Sequence, residues 1–150
     1  METKTDPARI NALNSVALGK GMVVYAMTRQ QRVRDNWALI FAQDLARELS
    51  SPLCVVLCTD TAELCKNPRQ FSFQKNAVSE LRFCLGQKNI PLILLDGPPL
   101  ETLKKYLFET SCCALITDFS PLLGERLWQQ RLSEQMSCPV FVVDSHNIVP

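Results

Sequence analysis

This chain is short of long apolar runs, clustered glycines, histidine and net charge. Its longest strongly apolar stretches are strand-length, far below the roughly 20 residues of a membrane-spanning helix. The amino terminus, Met-Glu-Thr-Lys-Thr-Asp-Pro, has no apolar h-region and does not read as a secretory signal. A formal net charge of +1 supplies no global attraction to nucleic acid or anionic lipid, so any such contact must be local. The five glycines are scattered, and neither G-x-G-x-x-G nor G-x-x-x-x-G-K-S/T occurs. That disfavours a dinucleotide or P-loop enzyme. The single histidine, His146, has no serine or cysteine nucleophile signature beside it, so a Ser-His-Asp triad has no footing. Seven cysteines make an odd count without scaffold-like spacing, and the absence of C-x-x-C argues against a zinc site. Cys54, Cys58 and Cys113 fall in apolar runs, where a thiol serves as a small core residue. A reducing, cytosolic compartment is expected.

What is present is a soluble globular composition, 47% hydrophobic and 21% charged over 150 residues, enough for a single domain with a proper core. Residues 6–18 are expected to form a lead-in helix, with Asp6 capping and Pro7 at its first position. The apolar run 22–27 is short and β-branched, as a strand buried on both faces would be. After it, Val33, Trp37, Ile40, Phe41, Leu45 and Leu49 recur at helical spacing, with Asp35 placed as N-cap. Further strands are expected at 53–58, 90–95, 113–117 and 140–143. Helices between them carry Phe73, Ala77, Leu81, Cys84 and Leu85, broadened by Phe71, Val78 and Phe83, then Leu100, Leu103 and Leu107, then Leu123, Leu127, Leu132 and Met136. Strands alternating with helices predict a three-layer, Rossmann-like α/β fold: a five-stranded parallel sheet, order 3-2-1-4-5, with helices on both faces. The polar segment after the last strand is expected to lead into something further.

In such a fold the turns outside the carboxyl ends of the strands are where ligands bind. Asp60, Asp96, Asp118 and Asp144 each follow a strand there. An acidic magnesium site is one reading; the favoured one is that aspartate closes turns and caps helices after strands. The first strand ends in Thr28 and Arg29 where an aspartate ligand or nucleophile would be expected. Arg29, Arg32 and Arg34 are read as a solvated or ion-paired turn, and phosphate at the amino end of the helix from residue 36 competes with Asp35. Trp37 and Trp128 lie on helical stripes as packing residues. No catalytic or metal-binding residue is assigned.

The stretch Arg29-Gln30-Gln31-Arg32-Val33-Arg34-Asp35-Asn36-Trp37-Ala38-Leu39 resembles the photolyase/cryptochrome amino-terminal signature R-x-x-R-x-x-D-N-x-A-L. The longer run 23–39 is similar to the class II deoxyribodipyrimidine photolyases. Asn89-Ile90-Pro91, Thr117-Asp118-Phe119-Ser120-Pro121 and the run 143–150 extend the likeness over nearly the whole chain. The resemblance implies a photolyase-type amino-terminal α/β antenna domain over residues 1–150. In that family light drives electron transfer from reduced FAD to split cyclobutane pyrimidine dimers. The first domain can carry an antenna chromophore such as a deazaflavin or a folate. A larger helical domain, which lies outside this chain, holds the FAD and the flipped-out dimer, and is the expected partner. Alone, the chain should be inactive and should not bind DNA strongly.

One residue departs from the class II pattern: Ala26 stands where the signature has tryptophan, leaving space for about one large aromatic ring at the end of a buried strand. The candidate chromophore contacts are Met27, Thr28 and Arg29 after the first strand, and Asp118, Phe119 and Ser120 after the fourth. Phe119 is available to stack on a planar ring. The alternatives are a stand-alone nucleotide- or small-molecule-binding module of the same architecture, and a diverged protein with an interaction role only.

Overall fold

Val23, Val24 and Tyr25 are completely buried, as residues of a strand covered on both faces must be. The computed structural model describes residues 4–59, 61 and 67–147. In chain order its elements are β1 (Ile10–Ala12), β2 (Met22–Ala26), α1 (Trp37–Glu48), β3 (Leu53–Thr59), α2 (Pro68–Gly86), β4 (Leu92–Asp96), α3 (Pro99–Glu109), β5 (Cys112–Asp118), α4 (Leu123–Gln135) and β6 (Val140–Val143). The sheet runs β1-β6-β5-β2-β3-β4. Its parallel strands take the order expected from the sequence, with β2 at the centre.

The sixth strand corrects the expectation for residues 6–18. Asp6 does cap a turn, accepting the Ala8 N–H at 2.9 Å with Pro7 in first position, but the turn is one of 3-10 helix ending at Arg9. Residues 10–12 then run antiparallel to β6, Ile10 opposite Val143 and Ala12 opposite Phe141. The edge of β6 offers unpaired backbone groups, and filling it outweighs the weak helical stripe of this segment. Arg9 anchors the strand, its buried guanidinium donating to the carbonyls of Asp144 at 3.1 Å and Asn147 at 2.7 Å.

Two cores lie on opposite faces of the sheet. One joins Tyr25, Met27, Val55 and Ile116 to Phe41 and Leu45 of α1 and Leu81 and Leu85 of α2. The other joins Val24, Ala26, Cys54, Val56 and Leu115 to Leu103 and Leu107 of α3 and Leu132 of α4. Two helical stripes are narrower than expected. On α2, Phe73 and Phe83 are 78% and 67% exposed, because Leu81 and Leu85 define the inward line and Phe83, two positions from each, points away. On α4, Gln129, Leu132 and Ser133 face inward and leave Leu123 and Leu127 exposed. No helix among the described residues is long and apolar enough to cross a membrane.

Candidate functional site

The turn after β2 is built around Asp118, the last residue of the neighbouring β5. The backbone N–H groups of Thr28, Arg29 and Gln30 donate to Asp118 Oδ2 at 2.9, 2.8 and 3.0 Å. The Tyr25 hydroxyl donates to Oδ1 at 2.6 Å. Three successive amides converging on one oxygen form an anion nest, here filled by the protein's own carboxylate. Burial, then the Asp118 charge, push the Tyr25 phenol well above its ordinary value. Asp118 therefore holds the turn in shape, and no side of its fully buried carboxylate faces solvent.

Asn36, not Asp35, caps α1. Its Oδ1 accepts the Leu39 N–H at 3.0 Å, and its amide lies 3.0 Å from Tyr25 Oη and from the carbonyls of Gln30 and Arg32. Asp35 sits one residue too early, at φ 51°, in the left-handed turn that delivers the chain into the helix. Ser145 Oγ accepts the Ala38 N–H at 2.9 Å. Side chains thus answer the amides at this helix end, which leaves no cradle for phosphate there. Arg32 closes the network, donating to the carbonyls of Asp35 at 3.0 Å and Ser145 at 3.2 Å. Arg29 reaches Ser120 Oγ at 3.5 Å and Glu125 at 3.8 Å, and Arg34 is exposed.

The other strand-end aspartates also close turns. Asp144 accepts the N–H groups of His146 at 2.8 Å and Asn147 at 3.0 Å. Partial burial opposes its charge, but these donors and Arg9 outweigh it and hold the carboxyl below its ordinary range. Asp96 accepts the Thr61 N–H at 2.9 Å, which lowers its carboxyl likewise. Asp60 lies outside the described residues. Among the described residues no three His, Cys, Asp or Glu side chains gather to hold a metal ion.

The cavity lies on the other face of the sheet, at the same carboxyl edge. It measures about 340 Å³ and is floored by Ala26 and Val56, with Thr28 and Gln31 beyond the strand end; Met27 borders it although its side chain is buried in the opposite core. Pro99 and Leu103 of α3 form one wall; Gly124, Glu125, Trp128 and Gln129 of α4 form the other. The size and the apolar lining are those of a small-molecule site. Among the described residues, Glu125 is the one charged-type side chain on its wall, and it lies 3.8 Å from Arg29. Cys58 also lines it, with a thiol pushed up to about 11 by burial and so a poor nucleophile. Gln129 is committed elsewhere, its amide donating to Thr117 Oγ1 at 3.2 Å and the Asp118 carbonyl at 2.7 Å. Trp128 is not: its Nε1 is buried without a hydrogen-bond partner among the described residues. A buried N–H left unpaired costs about 1–3 kcal/mol.

Of the six residues singled out from the sequence, Met27 and Thr28 line this cavity. Arg29 borders it through Glu125, Asp118 is buried in the turn beneath, and Ser120 accepts the Leu122 N–H at 3.2 Å. Phe119 lines a separate groove beyond α4, with Leu13 and Leu127. The walls from α3 and α4 were not foreseen, although the tryptophan-to-alanine departure at Ala26 marked the floor.

A family model described as DNA photolyase matches residues 23–150. The chain belongs to the DNA photolyase family. Within that family it fits an amino-terminal domain. It is 38% identical over 132 residues to a deoxyribodipyrimidine photo-lyase of Arabidopsis thaliana, covering 87% of this chain and 27% of that protein. It is 36% identical over 129 residues to the corresponding protein of Potorous tridactylus, covering 85% of this chain and 24% of that one. The chain thus spans about a quarter of the length of these photolyases. Its fold is shared more widely. A universal stress protein from Archaeoglobus fulgidus superposes with a TM-score of 0.57 at 15% identity, covering 81% of this chain and 98% of that one. A universal stress protein solved in complex with cAMP gives 0.56 at 14%, covering 85% and 100%. At such identities the likeness is one of fold alone.

Proposed function

We propose that this chain is the antenna domain of a light-driven photolyase of class II type, the parent activity being repair of cyclobutane pyrimidine dimers. The observation that carries the reading is the cavity of about 340 Å³ floored by Ala26, at the carboxyl edge of a photolyase-family domain. Its lining suits a flat, largely apolar chromophore, a deazaflavin or a folate pterin. Ala26, Val56 and Leu103 would contact the ring face, with Thr28 and Gln31 beside its edge. Arg29, Asp118 and Ser120 act one step back, holding the turn that positions Met27 and Thr28. A bound antenna absorbs light and passes its energy through space, so the domain supplies a pocket and an orientation in place of acid–base groups. Dimer splitting itself would require an FAD-binding helical partner domain, in cis or in trans.

A stress-protein-like nucleotide module is not favoured. Among the described residues, the cavity wall carries no lysine or arginine to meet a phosphate, and the amino end of α1 is already capped by Asn36 and Ser145. Expression of the chain with a deazaflavin or a folate, followed by absorption spectroscopy of the purified protein, tests the proposal. Stoichiometric bound chromophore with a shifted band is expected; a colourless product from both cultures would remove the antenna assignment.

A further inference from the structure

At the opposite, amino-terminal edge of the sheet, two thiols face each other. Cys112 opens β5, and Cys138 is buried in the connection from α4 to β6. Their sulfurs are 3.7 Å apart, with Cys138 donating to Cys112. Cys113, although next in sequence, is turned away: successive strand residues alternate faces, and Cys113 belongs to the core under α1 while Cys112 packs in the core under α3 and α4. The facing pair lines an open groove of about 670 Å³, together with Met136 and the stems of Lys104 and Lys105. A small polar reagent can therefore reach the sulfurs.

We propose that Cys112 and Cys138 form a reversibly oxidisable dithiol, a modification site for hydroperoxides. A disulfide needs its sulfurs about 2.05 Å apart, so the pair must close by roughly 1.7 Å, shared between two side-chain rotations. The Cys112 sulfur beside it lowers the Cys138 thiol, whereas the same contact, then burial, raises Cys112. Burial raises Cys54, Cys58 and Cys113. Both sulfurs line the groove, so either can take the first oxidising equivalent; where Cys138 attacks, Cys112 resolves. In the first step Cys138 Sγ attacks one oxygen of hydrogen peroxide. The S–O bond forms, the O–O bond breaks, and hydroxide leaves as water with the thiol proton. The sulfur is oxidised by two electrons to a sulfenic acid and the peroxide is reduced. In the second step Cys112 Sγ attacks Cys138 Sγ. The S–S bond forms, the S–O bond breaks, and hydroxide departs as water with the Cys112 proton. In a reducing compartment the dithiol is the resting form, and the bridge appears only under oxidant.

The test is peroxide treatment of the folded chain, alkylation of remaining thiols and peptide mapping after trypsin. Cleavage after Lys105, Arg126 and Arg131 places Cys112 in peptide 106–126 and Cys138 in peptide 132–150. The expected product is a monomer lighter by two hydrogens, with those peptides joined through Cys112 by fragmentation, and the link erased by dithiothreitol. The link should vanish in C138S and C112S and persist in C113S. Oxidation that halts on single cysteines, a bridge through Cys113 or Cys58, or disulfide-linked dimers would each overturn the proposal. Mapping of the unsubstituted chain decides the matter even where a serine variant does not fold.

Discussion

Replacing Asp118 by asparagine removes one charge and almost no volume, so its cost measures what the carboxylate does for the turn after β2. Five hydrogen bonds end on the Asp118 carboxylate: the N–H groups of Thr28, Arg29 and Gln30, the Tyr25 hydroxyl and, longest at 3.4 Å, the Thr28 hydroxyl. A hydrogen bond to a charged group contributes about 1.5–3 kcal/mol and a neutral one about 1 ± 0.5, so neutralisation forfeits about 1 kcal/mol per bond. Against this, a neutral amide is cheaper to bury than a carboxylate. The amide also brings an N–H to face Tyr25 Oη, which already accepts from Asn36 at 3.0 Å. The net expectation is a loss of about 2–4 kcal/mol for D118N. At 2–4 °C per kcal/mol for a domain of this size, Tm falls by about 5–15 °C. D118A should cost more, since it orphans the three backbone amides and the Tyr25 hydroxyl at about 1–3 kcal/mol each. Urea unfolding followed by circular dichroism supplies the energies. Hydrogen exchange at the Thr28, Arg29 and Gln30 amides supplies the local signature, and these should exchange faster in D118N well below the unfolding transition. A D118N variant within 1 kcal/mol of the parent, or a D118A variant no worse than D118N, would refute this account of the turn.

Two further outcomes are expected. Ala26→Trp should fill the cavity and weaken binding of a deazaflavin or folate by about tenfold or more, equivalent to about 1.4 kcal/mol, while the chain stays folded; fluorescence titration beside a thermal melt separates the two effects, and undiminished binding would move the chromophore elsewhere. Alkaline stability should fall from about pH 10 upward. Burial raises both tyrosines, Tyr25 and Tyr106, above their ordinary value, so above pH 10 the unfolded chain has shed phenolic protons that the folded chain keeps. The Tyr25 contribution is full below the unfolded value and is lost as pH climbs toward the folded one, at up to about 1.4 kcal/mol per pH unit, while Tyr106, only partly buried, adds less. Tyrosinate absorbance should accordingly rise together with unfolding; tyrosinate appearing in the folded protein near pH 10 would count against the buried network.

The layers and the five parallel strands were legible because each is a short apolar run flanked by turn residues; no such run states which strand lies beside which, and the order rested on analogy with doubly wound sheets. Residues 10–12 were not, since pairing with β6 depends on an edge that exists only after the other strands assemble. Local pattern also misjudged Phe73 and Phe83: a helix that covers the flank of a sheet buries one narrow line, and apolar residues beside that line remain outside. The N-cap was displaced by a single residue, from Asp35 to Asn36, because the left-handed turn at Asp35 cannot be read from composition. At the candidate site, the strand-end residues were readable and the helix walls were not. Strand ends sit at the sheet edge by topology, whereas the facing of Leu103 and Trp128 depends on how α3 and α4 pack.

The residues that reveal the family and the residues that line the cavity are two sets with different duties. Arg32, Asn36, Asp118, Ser145 and Tyr25 lock the β2 turn, the start of α1 and the segment after β6 into one hydrogen-bonded unit on the α1 side of the sheet. Such a unit tolerates little change, because each buried donor or acceptor left unmatched costs as much as several exposed substitutions. The cavity side is apolar and is held by packing, where size can vary for little more than the volume gained or lost. A signature concentrated in the turn therefore fixes the scaffold of the site, while Ala26, Leu103 and Trp128 set what it holds. Ala26 belongs to the cavity set: a larger side chain there would shrink the pocket without touching the network that positions Thr28 beside it.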